Sequence, residues 1–181
     1  MARFSLSAIG VDRPGIVAAV SGALGEAGCN LEDSTMTILR GHFAILLVVS
    51  APGATTPESL GSALREASET FDLVISVRPI DVPSGEGLGI VSSEEALTVS
   101  IHGADRPGIV HAVSGALAEA GGNVVDLSTQ LVGEPDDPVY VLTLRAVVAP
   151  ENADRVAVAV KQTAGSLGVH CTVREDDSDL L

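Results

Sequence analysis

A hexapeptide occurs twice in this chain, and that repetition restricts the fold more than any other feature. Asp12-Arg13-Pro14-Gly15-Ile16-Val17 returns as Asp105-Arg106-Pro107-Gly108-Ile109-Val110, 93 positions later. The match continues through Val20-Ser21-Gly22-Ala23-Leu24 and Val113-Ser114-Gly115-Ala116-Leu117, then Glu26-Ala27-Gly28 and Glu119-Ala120-Gly121. An asparagine stands 18 residues after each aspartate, at Asn30 and Asn123. Repetition of this length makes the chain a tandem of one module, so its 181 residues divide into two small domains.

The hexapeptide reads as a corner between a strand and a helix. Phe4 to Ile9, ahead of it, alternates apolar and polar residues, as a strand with one buried face does. Pro14 suits the first helical position, where its missing N–H is not needed. The helix is expected to bury Ile16, Val17, Val20, Leu24 and Ala27 on one stripe and to stop at Gly28. Cys29 to Leu39 then reads as a strand, Arg40-Gly41-His42 as a turn, and the continuously apolar Phe43 to Val49 as a central strand. Ala51-Pro52-Gly53 breaks that strand. Thr55-Thr56-Pro57-Glu58 opens a capped helix with Leu60, Leu64, Ala67 and Phe71 facing inward, and Val74 to Arg78 closes the module. The order β-α-β-β-α-β places each module in the α+β class, as a ferredoxin-like unit with an antiparallel sheet and both helices on one face.

The second module repeats the plan with strands Ala96 to Gly103, Asn123 to Leu131, Val139 to Val147 and Val169 to Val173. Its helices are Pro107 to Ala120 and Glu151 to Leu167. The expected organisation is therefore a first domain over 1–81, a polar linker over 82–95, a second domain over 96–174 and an acidic tail over 175–181. Aligning Ala51-Pro52 with Ala149-Pro150 leaves five extra residues, assigned to a longer acidic hairpin tip at 133–138, a tolerated surface insertion. The tail has nothing to fold around and reads as a solvated end.

Composition narrows the function classes. A formal charge of −14 repels phosphate backbones and anionic membranes. Aromatics make up only 2% of the chain, which removes the stacking platforms of nucleic-acid binders, RNA-binding ferredoxin-like folds included. No direct nucleic-acid or membrane partner is expected. Cys29 and Cys171 sit at non-equivalent places and read as free thiols of a cytoplasmic protein. The N-terminus has no signal-like apolar region, and the longest apolar run is too short to span a bilayer.

No convergent set of reactive groups stands out. His42, His102, His111 and His170 share no metal-ligand spacing, and His102 stands where Ile9 stands in the first copy. No nucleophile elbow or zinc-protease motif occurs. Gly85-Glu86-Gly87-Leu88-Gly89 is followed by no lysine–serine/threonine pair, so no phosphate loop and no cofactor is expected. Binding is better served. A helix N-terminus with glycine in its first turn offers free amides and a positive dipole end to a carboxylate. Asp12 or Asp105 beside it can accept from an ammonium group, and the two together match the ends of an α-amino acid. Equally, both aspartates can simply cap their helices.

A β-α-β-β-α-β unit with Asp-Arg-Pro-Gly-Ile-Val at its first corner and Asn 18 residues on resembles the ACT domain. The resemblance covers nearly the whole chain apart from linker and tail. It implies that the corner residues Asp12, Pro14, Gly15 and Ile16, with Asp105, Pro107, Gly108 and Ile109, bind a small amino acid together with Asn30 and Asn123. Glycine and serine are the leading ligands. In ACT pairs the corner of one domain works with the asparagine of the other, which implies Asp12, Gly15 and Ile16 with Asn123, and Asp105, Gly108 and Ile109 with Asn30. Pairing within one chain and pairing across a homodimer both remain open. A bare tandem is similar to the glycine cleavage system transcriptional repressor family, which implies a non-enzymatic regulator acting through a protein partner. A stand-alone regulatory subunit of an amino-acid metabolic enzyme is the alternative, and a purely structural interaction module a third. Formyltetrahydrofolate deformylase and phosphoserine phosphatase carry similar corners, but their catalytic domains do not accompany the repeat here.

Overall fold

The computed structural model describes residues 1–81, 95–134 and 137–176. The chain divides into two compact units, Met1–Glu86 and Gly87–Leu181. The stretch 82–94 of the expected linker and residues 177–181 of the expected tail lie outside the described residues.

The first unit runs β1 (Ala2–Val11), α1 (Ile16–Glu26), β2 (Asn30–Leu39), β3 (His42–Ala51), α2 (Pro57–Ala63), α3 (Arg65–Phe71) and β4 (Val74–Pro79). Its sheet has the order β2-β3-β1-β4, and every neighbouring pair is antiparallel. The period-two pattern read in Phe4 to Ile9 is what assembles the core. Phe4, Leu6 and Ala8 of β1 turn to one face, beside Phe43, Ile45, Leu47 and Val49 of β3. Ile16, Val20 and Leu24 of α1, with Leu60, Leu64 and Ala67 of the second helical segment, close over that face. Each such aliphatic side chain contributes about 1.5–3 kcal/mol by leaving water. The sheet and helices are the ferredoxin-like arrangement expected from the sequence.

Local chemistry fixes the connections. Arg40 and Gly41 both have positive φ, 50° and 81°, the pair of left-handed residues that a two-residue hairpin turn requires. Thr56 caps α2, accepting from the Ser59 amide at 3.2 Å while the Ser59 hydroxyl accepts from the Thr56 amide at 3.0 Å. Val17 departs from expectation: it is 45% exposed, because the buried stripe of α1 is the narrower Ile16, Val20, Leu24 row.

The second unit runs β5 (Glu95–Gly103), α4 (Ile109–Glu119), β6 (Gly122–Glu134), β7 (Asp137–Val148), a 3₁₀ turn (Pro150–Asn152), α5 (Ala153–Ser166) and β8 (His170–Glu175). Its order, β6-β7-β5-β8, reproduces the first. The extra residues do not form a slack tip. The β6–β7 ladder continues through Val132–Val139, Gly133–Pro138 and Glu134–Asp137, so most of the insertion is paired strand. Gly10 faces Phe43 and Gly103 faces Tyr140, an offset of 97 for the third strands against 93 for the first. Four of the five extra residues therefore lie in the hairpin, and the fifth falls after β7.

The charged run at the end also begins inside the fold. Glu175 is the last residue of β8, and the Asp176 amide donates to the Ala96 carbonyl at 2.8 Å. The Asp176 carboxylate accepts from the Thr98 hydroxyl at 2.7 Å and from Arg145 Nε at 3.1 Å. A basic side chain on the outer sheet face gives this acidic residue something to fold against.

Candidate functional site

Each repeated corner is built on a left-handed glycine. Gly15 has φ 101° and Gly108 has φ 93°, and each is the residue that caps its helix. Pro14 and Pro107 consequently lie one residue before the cap, outside the helix, where the sequence placed them at its first position. Helical entry through a φ that only glycine adopts readily displaces the rule that puts proline there. No side-chain hydrogen bond caps either helix, so the aspartates do not act as caps here.

The first intrahelical bonds run from Ala19 to the Gly15 carbonyl and from Ala112 to the Gly108 carbonyl, both 2.9 Å. The amides ahead of them, at Ile16, Val17 and Ala18 and at Ile109, Val110 and His111, have no intrahelical acceptor and stand at the positive end of a helix dipole. Asp12 is exposed, and its own amide donates to the Gly41 carbonyl at 2.9 Å, tying the corner to the β2–β3 turn. In front of the first corner lies an open cleft of about 520 Å³ lined by residues 12–18 together with Met36 of β2 and Phe43 of β3. Those last two were not singled out in the sequence, because only the strand register brings them to the corner.

The register also identifies the residues at the same places in the second unit. Met36 pairs with Ile45 and Thr129 with Leu142, while Phe43 and Tyr140 hold one register position. Ala18 is replaced by His111. The second corner is thus surrounded by more polar residues. Its support differs too: Arg106 donates to the Leu167 carbonyl at 3.0 Å, at the end of α5, whereas a side chain at Gly15 would meet Phe71.

Asn30 and Asn123 are exposed first or second residues of β2 and β6. Neither lies near the corner of its own unit. Asn30 is level with Ser50 and Arg3, while the corner follows Val11, about 25 Å further along the sheet. Asn123 is level with Val147 and Ala96, and its corner follows Gly103. Both asparagines lie on an edge strand, and all ten residues of β2 are exposed.

Other reactive chemistry is sparse. Among the described residues no three His, Cys, Asp or Glu side chains gather as a metal site, and no helix is long and apolar enough to cross a membrane. Cys29 and Cys171 are free, and burial pushes both thiols above the ordinary cysteine range, against a smaller opposing pull from Lys161 on Cys171.

Two models of the ACT domain match the chain, one over residues 3–78 and the other over 97–164. The chain belongs to the ACT-domain family. Among ACT relatives, the UPF0237 protein of Methanopyrus kandleri is 37% identical over 83 residues, covering 45% of this chain and 92% of that protein. The glycine cleavage system transcriptional repressor of Escherichia coli is 38% identical over 45 residues, 25% of this chain and 24% of the repressor. A crystal structure of an unknown protein from Galdieria sulphuraria covers 97% of this chain and 99% of its own, with 28% identity and a TM-score of 0.80. This is a regulatory type of domain, here present twice, with one glycine-capped corner in each ACT unit.

Proposed function

We propose that this chain is a non-enzymatic regulatory protein that binds a small amino acid, glycine or serine first among them, at its two corners and acts through a protein partner. The observation that carries this reading is the uncapped helix N-terminus behind a left-handed glycine, with an exposed aspartate beside it and, at the first corner, a cleft in front. The free amides and the dipole suit a carboxylate, and Asp12 or Asp105 suits an ammonium group.

In this reading Asp12, Pro14, Gly15 and Ile16, and likewise Asp105, Pro107, Gly108 and Ile109, form the corner part of each site. Because Asn30 and Asn123 stand at the far end of their own sheets, an asparagine serving a corner must come from a second ACT unit. The identity shared with the Escherichia coli repressor points the regulation toward control of glycine or one-carbon metabolism.

A thermal-shift panel of the proteinogenic amino acids tests the proposal. One or a few small amino acids should raise the melting temperature, and Asp12→Ala with Asp105→Ala should remove the shift. A panel without response at millimolar concentrations leaves the corner as a mere turn.

A further inference from the structure

The outer face of the second sheet differs from that of the first at one cross-strand pair. In the first unit β1 and β4 set Ile9 opposite Val74, 52% and 75% exposed. In the second unit β5 and β8 set His102 opposite His170 at the same register position. Both imidazoles are exposed, with ring centroids 4.6 Å apart and planes tilted by 46°. Ser100 and Thr172 form the next pair on the same face of these strands, and Val141 of β7 stands on the other side of His102.

We propose that His102 and His170 form a binding site for a divalent first-row transition ion, copper(II), nickel(II) or zinc(II). Two imidazoles bound to one ion at about 2.0–2.1 Å, with an angle of roughly 90–109° between them, have ring centroids about 4.5–5 Å apart. The observed separation lies in that range, and the tilt is not that of stacked rings. The two histidines sit on adjacent strands of a closed ladder, so the backbone already holds them together and only side-chain rotation remains. Imidazole alone selects these ions. Magnesium and calcium require oxygen ligands, and among the described residues no carboxylate joins the pair. Water fills the other coordination positions, so the affinity falls in the order copper, then nickel and zinc. An ion there ties the last strand of the chain to β5, and the same positions in the first unit, Ile9 and Val74, hold nothing.

His102 lies three residues before Asp105 of the second corner, but the test of the ion site does not depend on amino-acid binding. The untagged full chain is titrated with each ion against a competing chromophoric chelator. Urea unfolding of the second unit, followed by fluorescence of Tyr140, is measured with and without zinc. One ion per chain should bind, and the unfolding midpoint should rise with the ion present. His102→Ile and His170→Val install the residues that the first unit carries, so the strands are retained. Each should weaken binding about tenfold or more, while His42→Asn leaves it unchanged. No binding at about 1 mM ion, or equal binding by the His102→Ile/His170→Val double variant, overturns the proposal.

Discussion

The corner's dependence on a left-handed backbone can be isolated within one helix. Gly108 and Gly115 stand at the cap and in the interior of α4, and a Cβ added at either meets no atom within 4 Å. Packing is therefore removed from the comparison, and only backbone conformation differs. Gly108→Ala forces an L-residue to φ 93°, which costs about 1–2 kcal/mol, offset by about 0.4–1 kcal/mol from the stiffer unfolded chain. Gly115→Ala stays in helical space and gains about 0.5–1 kcal/mol. The two variants should differ by about 1–2 kcal/mol, with Gly108→Ala the less stable. The chain has one Tyr and no Trp, and Tyr140 packs against the core of the second unit, so its fluorescence reports that unit alone. At a urea slope of about 1 kcal/mol per molar for a unit of this size, the midpoints should separate by roughly 1–2 M. A Gly108→Ala protein as stable as the Gly115→Ala protein refutes the reasoning, because the amide array at the corner depends on that cap.

Asn30→Ala and Asn123→Ala remove exposed side chains and should change stability by no more than about 0.5 kcal/mol while weakening amino-acid binding about tenfold or more. Unchanged affinity in both would remove the asparagines from the site. Asp176→Ala should destabilise the second unit by about 1 kcal/mol or less, since its partners are partly exposed and screened; a loss above about 2 kcal/mol would mean a larger role for the chain end. Burial holds both thiols above their ordinary pKa, so at pH 7 Cys29 and Cys171 carry less thiolate than free cysteine and should alkylate more slowly with iodoacetamide. Faster labelling of either contradicts that environment.

What the sequence shows of this fold is what local pattern encodes. Alternation in Phe4 to Ile9, the capped start at Thr56 and the hairpin at Arg40-Gly41 each depend on neighbours in the chain, and each appears where the residues imply. The repeat then carries the order of strands and helices to the second unit. What local pattern misreads involves distant partners or competing rules. Pro14 looked like a helix start because the proline preference is local, but Gly15 captures the cap through its positive φ. The insertion looked like a loop because its glycine and prolines favour turns, yet the β6–β7 ladder includes Gly133–Pro138 and Glu134–Asp137. Asp176 looked free until β8 brought it beside Thr98 and Arg145. Of the candidate site, both corners were legible. Met36 and Phe43 were not, because they reach the cleft only through strand register, and the separation of each asparagine from its own corner likewise needs the sheet.

Binding at the corners is tested most directly by following backbone amide resonances of the full chain during titration with glycine and serine. The account predicts saturable shifts centred on Gly15, Ile16, Val17 and Ala18, on Gly108, Ile109, Val110 and His111, and on the side-chain amides of Asn30 and Asn123. Shifts that saturate elsewhere while these amides stay still would contradict it.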